Sequence, residues 1–190
     1  MNYRLSRIAA ICGGKFSGCD SEVRSVVTDS RSLSCELGCR PMFVAMRGAN
    51  HDSHDFIAGM QSRGVRAFLV ERGVEASSCT GECGFVQVDN AIEALQRLAA
   101  YHRAQFRGTV VGITGSNGKT VIKEWIAEEL PEGMKYYRSP KSYNSQLGVP
   151  LSVLMLEGDE ELAIFEAGIS KPGEMERLER IIRPDAVIFT

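Results

Sequence analysis

The chain is predicted to be α/β, with a small N-terminal α/β domain followed by a doubly wound, mostly parallel sheet domain. Three observations carry this. Short apolar runs alternate with stretches of helical period along the whole length. Near residue 108 the rhythm changes to regular strand–loop–helix units. There the β-branched run Thr109-Val110-Val111 enters a Gly-rich turn, Gly112-Ile113-Thr114-Gly115-Ser116-Asn117-Gly118-Lys119-Thr120.

Each element has its own reason. Leu5, Ile8, Ala9 and Cys12 form a helical stripe that Gly13-Gly14 ends. Residues 23–28 and 42–46 are predicted strands, the second closed by Arg47-Gly48. Phe56, Ile57 and Met60 predict a helix ending near Gly64, and 66–70 and 85–88 are two more strands. Residues 1–88 are enough to bury a core of their own. Asp89 or Asn90 then caps a helix in which Ile92, Leu95, Leu98, Ala99 and Phe106 recur at helical spacing. Residues 89–107 are therefore the candidate connection between domains. Beyond it, strands are predicted at 110–113, 135–138, 162–165 and 186–189. Helices are predicted at 119–130, 147–156 (Pro150 in the first turn) and 174–182. The first of these helices should bury Val121, Ile122, Trp125 and Ile126. Lys171-Pro172-Gly173-Glu174 reads as a helix start with a favoured acidic first turn. The sequence stops at Thr190, on a strand of buried character, so 108–190 is expected to be a domain cut short at its C-terminus.

Composition narrows the function classes. Hydrophobic content of 44%, charged content of 24% and a net charge of −2 fit an ordinary globular protein, with no basic stripe for nucleic acid. No apolar run approaches the roughly 18–20 residues of a membrane span. The N-terminus lacks a secretory apolar region, so a cytoplasmic location is expected. The six cysteines, at 12, 19, 35, 39, 79 and 83, lack zinc-knuckle spacing and are expected to be reduced thiols serving as small apolar residues.

The turn at 112–120 carries the chemistry. Gly115 and Gly118 let successive backbone N–H groups face phosphate oxygens, as Ser116 and Asn117 between them do. Lys119 supplies a point charge, and the Thr120 hydroxyl suits Mg²⁺. This is the form of a phosphate-binding loop for a nucleoside triphosphate. The strict pattern places a Gly six residues before the Lys, where this chain has Ile113. Glu166, at the carboxyl end of a predicted strand, lies on the edge where open α/β sheets bind ligands, so it can complete an oxygen shell for Mg²⁺. Position alone equally allows a surface Glu. Asn144 follows a strand on the same edge and can donate to phosphate or simply form a turn. Asp29-Ser30 can be a plain turn, and Arg47 can be a solvated Arg or an anion partner. His51-Asp52-Ser53-His54-Asp55 is better explained by an N-cap than by a metal.

These blocks resemble the Mur ligases, ATP-dependent amide-bond-forming enzymes of peptidoglycan synthesis. Thr114-Gly115-Ser116-Asn117-Gly118-Lys119-Thr120 is similar to their phosphate loop, which also lacks the distant Gly; folylpolyglutamate synthases carry a similar one. Ser139 to Pro150 resembles the block usually written Asn-Asn before Gly-x-Pro. Phe165-Glu166-Ala167-Gly168 resembles the Glu-x-Gly block. In the first half, Thr28-Asp29-Ser30-Arg31, Phe43 to Gly48 and His54-Asp55-Phe56 resemble the family's uridine-nucleotide domain. The resemblance spans nearly the whole chain, in order.

It implies ATP and Mg²⁺ as cofactors, with Thr120 and Glu166 on the metal and Lys119, Glu166 and Asn144 as the catalytic set. It implies contacts to the UDP-sugar from Ser30, Arg31, Arg47, Gly48, His54 and Ser145. The substrates implied are a UDP-N-acetylmuramoyl peptide and, from the members most similar in pattern, D-alanyl-D-alanine. The ligase of the preceding step, adding a diamino acid, is the nearest alternative within the family. Two positions depart from the family: Ser145 stands where a second Asn is common, and Val121 stands where a Thr is common and is expected to face the core. The residues alone also leave open a P-loop phosphotransferase and a non-catalytic nucleotide-binding module of a larger protein. The resemblance further implies that later residues complete catalysis, so residues 1–190 by themselves are expected to be inactive.

Overall fold

A computed structural model describes residues 1–32, 40–48, 52–71 and 82–190. Cys35, Cys39, Cys79 and His51 lie outside the described residues. The chain divides into two compact units, Met1–Leu95 and Gln96–Thr190.

In the first unit, β1 (Tyr3–Arg4) leads into α1 (Leu5–Cys12), which buries Leu5, Ile8, Ala9 and Cys12. Gly13 caps α1 in the left-handed region. β2 (Lys15–Gly18) and β1 are elements that periodicity did not announce: β2 has a single apolar residue, Phe16, and β1 is two residues long. The strand expected at 23–28 is two strands, β3 (Glu22–Val23) and β4 (Ser25–Val27). β3 pairs antiparallel with β1, while β4 joins a larger sheet, so the chain changes partners at Arg24. β5 (Pro41–Val44), α2 (Ile57–Ser62), β6 (Ala67–Glu71) and β7 (Gly84–Val88) follow. The sheet order is β2-β7-β6-β5-β4, parallel except for β2. Its core stacks Phe68 on Phe85, with ring centroids 5.2 Å apart, among Phe43, Ile57 and Met60. Cys12 and Cys83 are buried as thiols, while Cys19 is exposed and does not serve as a core residue.

α3 (Ala91–Arg103) begins in the first unit, and the division between units falls within it. Of the two candidate caps, Asn90 is the one used: its Oδ1 accepts from Glu93 N at 3.0 Å. Leu95, Leu98 and Ala99 are buried, whereas Ile92 is exposed, at the margin of the stripe.

The second unit runs β8 (Thr109–Thr114), α4 (Lys119–Glu128), β9 (Tyr136–Arg138), α5 (Gly148–Val153), β10 (Leu162–Ala167), α6 (Glu174–Ile182) and β11 (Ala186–Phe189). All pairings are parallel, in the order β11-β8-β10-β9. Ile113, Leu162 and Ile164 pack under Ile122 and Ile126 of α4. Residues two apart on a strand share a face, so Leu162, Ile164 and Glu166 all turn toward α4. The β8→β9 connection and the two that follow move in opposite directions across the sheet. Right-handed crossovers then place α4 on one face and α5 and α6, which touch each other, on the other. This is the doubly wound arrangement.

The buried side of α4 differs from expectation. Val121 and Trp125 are 50% and 64% exposed, while Lys123 and Ala127 are buried. The helix instead turns Lys123 inward, where its ammonium pairs with the buried Glu166.

Replacing Asn90 by Ala removes the α3 cap and should cost about 1 kcal/mol of stability. Thermal denaturation of wild type and variant measures it, and an unchanged midpoint would refute the capping role.

Candidate phosphate-binding and metal site

β8 ends at Thr114 and the chain turns through residues 115–118 into α4. Two glycines make this turn. Gly118 takes φ +75° at the helix N-cap, and Gly115 takes φ +133°. A Cβ on Gly115 would lie 2.0 Å from the carbonyl oxygen of Thr190, so close approach as well as φ demands glycine there. Thr190 bonds the loop twice more: its N donates to Thr114 O, and its hydroxyl donates to Asn117 O.

α4 has neither a side-chain cap nor an acidic residue in its first turn. Its leading N–H groups therefore suit an anion, reinforced by the helix dipole. Ser116, Asn117 and Gly118 are exposed around this end. Lys119 folds back along the loop, its Nζ donating to Gly115 O at 2.6 Å.

The register sets Glu166 opposite Ile113, beside the start of the loop. Glu166 is fully buried. Thr120 Oγ1 donates to Glu166 Oε2 at 3.0 Å, and Lys123 Nζ pairs with Glu166 Oε1 at 2.8 Å. Lys123 is the residue that the motifs missed. Its spacing of three from Thr120 was the available signal, since both then lie on one helix face. The donors at Thr120 and Glu166 are hard oxygens, which fits Mg²⁺; phosphate and water oxygens complete such a shell. Among the described residues no three His, Cys, Asp or Glu side chains converge as a metal cluster.

Asn144 sits beside the Glu-x-Gly segment, its carbonyl accepting from Gly168 N at 2.8 Å. Its side-chain amide lies over Gly168, where a Cβ would be 3.2 Å from Asn144 Cγ. Ser145 Oγ accepts from Gly148 N at 3.0 Å, so this hydroxyl holds the start of α5. It lies in the second unit, whereas the other expected sugar contacts lie in the first.

There the structure forms two groups. In the first, Asp29 binds Arg31 three ways, through its backbone N and through Nε and Nη2 at 3.0 and 2.9 Å. The Arg31 side chain is 90% exposed. Its hydrogen bonds hold the Asp29 carboxyl down at about 2. Ser30 adjoins, its carbonyl accepting from Arg63. In the second, Arg47 Nε pairs with Asp52 at 3.3 Å, and Arg47 N donates to Glu71 Oε2 at 3.2 Å, with exposed Gly48 next in sequence. The His54 imidazole is only 6% exposed. Its Nδ1 bonds Asp52 and its Nε2 accepts from Glu71 N, so both ring nitrogens are engaged inside the protein. Hydrogen bonds from His54, then the charge of Arg47, lower the Asp52 pKa. Glu71, unmarked by any motif, joins this group to α3 by accepting from Ala91 N at 3.1 Å.

A parallel sheet whose first strand enters an uncapped Gly-rich helix start, with lysine, hydroxyl and carboxylate on one rim, defines a P-loop-type α/β domain. Residues 113–190 match the Mur ligase middle domain. Over nearly its whole length the chain is similar to Mur ligases. It is 32% identical over 188 residues to the UDP-N-acetylmuramoyl-tripeptide–D-alanyl-D-alanine ligase of Escherichia coli, covering 99% of this chain and 40% of that one. It is also 32% identical over 168 residues to the Bacillus subtilis ligase of the same name, covering 88% and 35%. Among solved structures, MurF from Acinetobacter baumannii superposes with a TM-score of 0.86 at 27% identity, over 100% of this chain and 41% of that one. MurF ligase from Thermotoga maritima in complex with ADP gives 0.73 at 31% identity, over 88% and 38%. The chain thus spans about two fifths of the length of these relatives. Among the described residues no helix is long and apolar enough to cross a membrane.

Two measurements check this geometry. Gly115→Ala should cost about 2 kcal/mol or more, through strain and the clash with Thr190; an unchanged denaturation midpoint would contradict the close approach. The depressed Asp29 pKa means that its carboxylate contributes stability above the unfolded-state value, lost as pH falls toward 2. Carboxyl-carbon NMR should show Asp29 titrating near that value, and Arg31→Ala should raise it only part of the way to the ordinary carboxylate value, because the backbone N–H at position 31 still donates to it.

Proposed function

We propose that this chain is the substrate- and ATP-binding part of an ATP-dependent ligase joining D-alanyl-D-alanine to a UDP-N-acetylmuramoyl tripeptide. The observation that carries the proposal is the Thr120–Glu166 contact on the rim of the phosphate loop, 3.0 Å long and adjacent to an uncapped helix start. The middle-domain match and the shared name of the relatives support the choice of reaction. Residues 1–88 bind the UDP-sugar, 89–107 connect, and 108–190 bind ATP.

In this reaction the terminal carboxylate of the UDP-muramoyl peptide takes the γ-phosphoryl group of ATP, giving an acyl phosphate and releasing ADP. The amine of D-alanyl-D-alanine then attacks the acyl carbon, releasing phosphate and leaving an amide. Lys119 and the loop N–H groups neutralise charge on the transferred phosphoryl group. Gly115, Ser116, Asn117 and Gly118 shape the cradle. Thr120 and Glu166 hold Mg²⁺, which when bound supplies positive charge to the phosphate oxygens. Asn144 orients the phosphate or the acceptor carboxylate from beside Gly168. Ser30, Arg31, Arg47 and Gly48 meet the anionic UDP-sugar. His54 acts from beneath by fixing Asp52, and through it Arg47. Ser145 contributes by holding the loop that carries Asn144.

Lys119→Ala in the full-length protein should reduce ligation, followed by phosphate release, by about a hundredfold or more. Binding of UDP-N-acetylmuramoyl tripeptide, measured by calorimetry, should survive. Unchanged ligation would make the loop a bland nucleotide module, and absence of UDP-sugar binding by the unaltered protein would favour a simple phosphotransferase.

A further inference from the structure

The buried ammonium of Lys123 plays no part in the mechanism above. It sits on α4, one turn after Thr120, at 0% exposure. An ammonium has three protons. This one donates to Ser139 O at 2.7 Å and to Lys141 O at 2.6 Å, and it pairs by charge with Glu166 Oε1 at 2.8 Å, a buried oxygen that accepts no hydrogen bond among the described residues. Glu124 is more distant, at 3.5 Å, and is itself paired with Arg138. Lys141 adopts φ +50°, uncommon for a residue with a side chain, and its carbonyl accepts from Nζ.

A buried ion pair is weak grounds for stability, because apolar residues of similar volume often do as well. What this pair does is divide the two oxygens of one carboxylate. Oε1 belongs to Lys123, and Oε2 faces the Thr120 hydroxyl.

We propose that Lys123 is a positioning residue that reserves Oε1 of Glu166, leaves Oε2 as the one oxygen offered to a divalent cation beside Thr120, and thereby favours Mg²⁺ over Ca²⁺. The inference rests on Glu166 being a metal ligand, as in the proposed function. Ca²⁺ takes about six to eight oxygens in flexible geometry and accepts both oxygens of a carboxylate; Mg²⁺ requires a near-octahedral shell and uses one oxygen per carboxylate readily. With Oε1 committed, the arrangement suits the smaller ion. The same ammonium holds the 139–141 segment that leads into Asn144, so one cation organises both the metal ligand and the loop beside it.

The test uses the full-length protein with ADP, measuring Mg²⁺ and Ca²⁺ affinities by calorimetry and by competition against the EPR signal of free Mn²⁺. Glu166→Gln should weaken binding of these cations by roughly tenfold or more. If it does not, the metal reading falls and this inference with it. With that effect in hand, Lys123→Met decides the inference alone: the Mg²⁺-to-Ca²⁺ affinity ratio should fall by roughly tenfold. An unchanged ratio overturns the inference and leaves the metal reading standing. Because Lys123→Met strands a buried carboxylate and can cost the fold, a second measurement uses the unaltered sequence with ¹⁵N-labelled lysines. The shielded Lys123 ammonium should give a slowly exchanging signal that persists when Mg²⁺ and ADP are added. Its loss, or its shift to that of a solvated lysine, would mean that the ammonium leaves Glu166 and would overturn the proposal.

Discussion

The second unit depends on how one buried carboxylate is compensated. Glu166 lies on a strand whose residues are all buried. A carboxylate there without a partner would cost several kcal/mol in effective desolvation. Lys123 supplies the opposite charge and Thr120 a hydroxyl, both from α4. Satisfying Glu166 therefore fixes the rotation of α4 about its own axis. Once that rotation is fixed, Lys119 and the Gly-rich turn have only one place to be. The residue that would touch a metal is thus also the one that seats the helix behind the phosphate loop.

That constraint explains why the architecture could be read from the residues while the facing of one helix could not. The helix expected at 174–182 and the strands expected at 110–113 and 162–165 follow from apolar pattern, and they appear as Glu174–Ile182, Thr109–Thr114 and Leu162–Ala167. In α4 the apolar pattern pointed to Val121 and Trp125. Both are exposed, while the inward side of the helix carries Lys123, paired with Glu166, a residue 43 positions away in sequence. Apolar periodicity counts a buried Lys as a surface residue and has no means of seeing its partner. The phosphate loop, by contrast, was legible because its chemistry is local: glycines, a lysine and a threonine act within one turn.

The first unit shows the same division. Its parallel strands and the α1 stripe follow from short-range pattern, but β1 and β2 exist only because neighbouring chain pairs with them. The expected sugar contacts of the first unit were marked by short blocks, which fall at the ends of β4 and β5 and in a single helical turn at Ser53–Phe56. What they did not reveal is that His54 is spent on Asp52 and Glu71. Glu71 ties this group to the start of α3 through Ala91 N. With both ring nitrogens occupied, His54 would support the proposed anion site only indirectly, and direct contact would fall to the exposed guanidinium groups of Arg31 and Arg47.

The loop itself is stiffened from outside α4. β11 ends against it, with Thr190 N on Thr114 O and the Thr190 hydroxyl on Asn117 O. Gly115 lies between them, where any side chain would meet the Thr190 backbone. The turn is therefore pinned at both sides, by β11 at its entrance and by the Thr120–Glu166–Lys123 group at its exit. Under the proposed function such a turn would lose little further freedom on binding phosphate, so less of the binding energy would be consumed in ordering it. Preorganisation of this kind is what electrostatic stabilisation of a transferring phosphoryl group requires, since donors that must first be assembled contribute less at the moment of reaction.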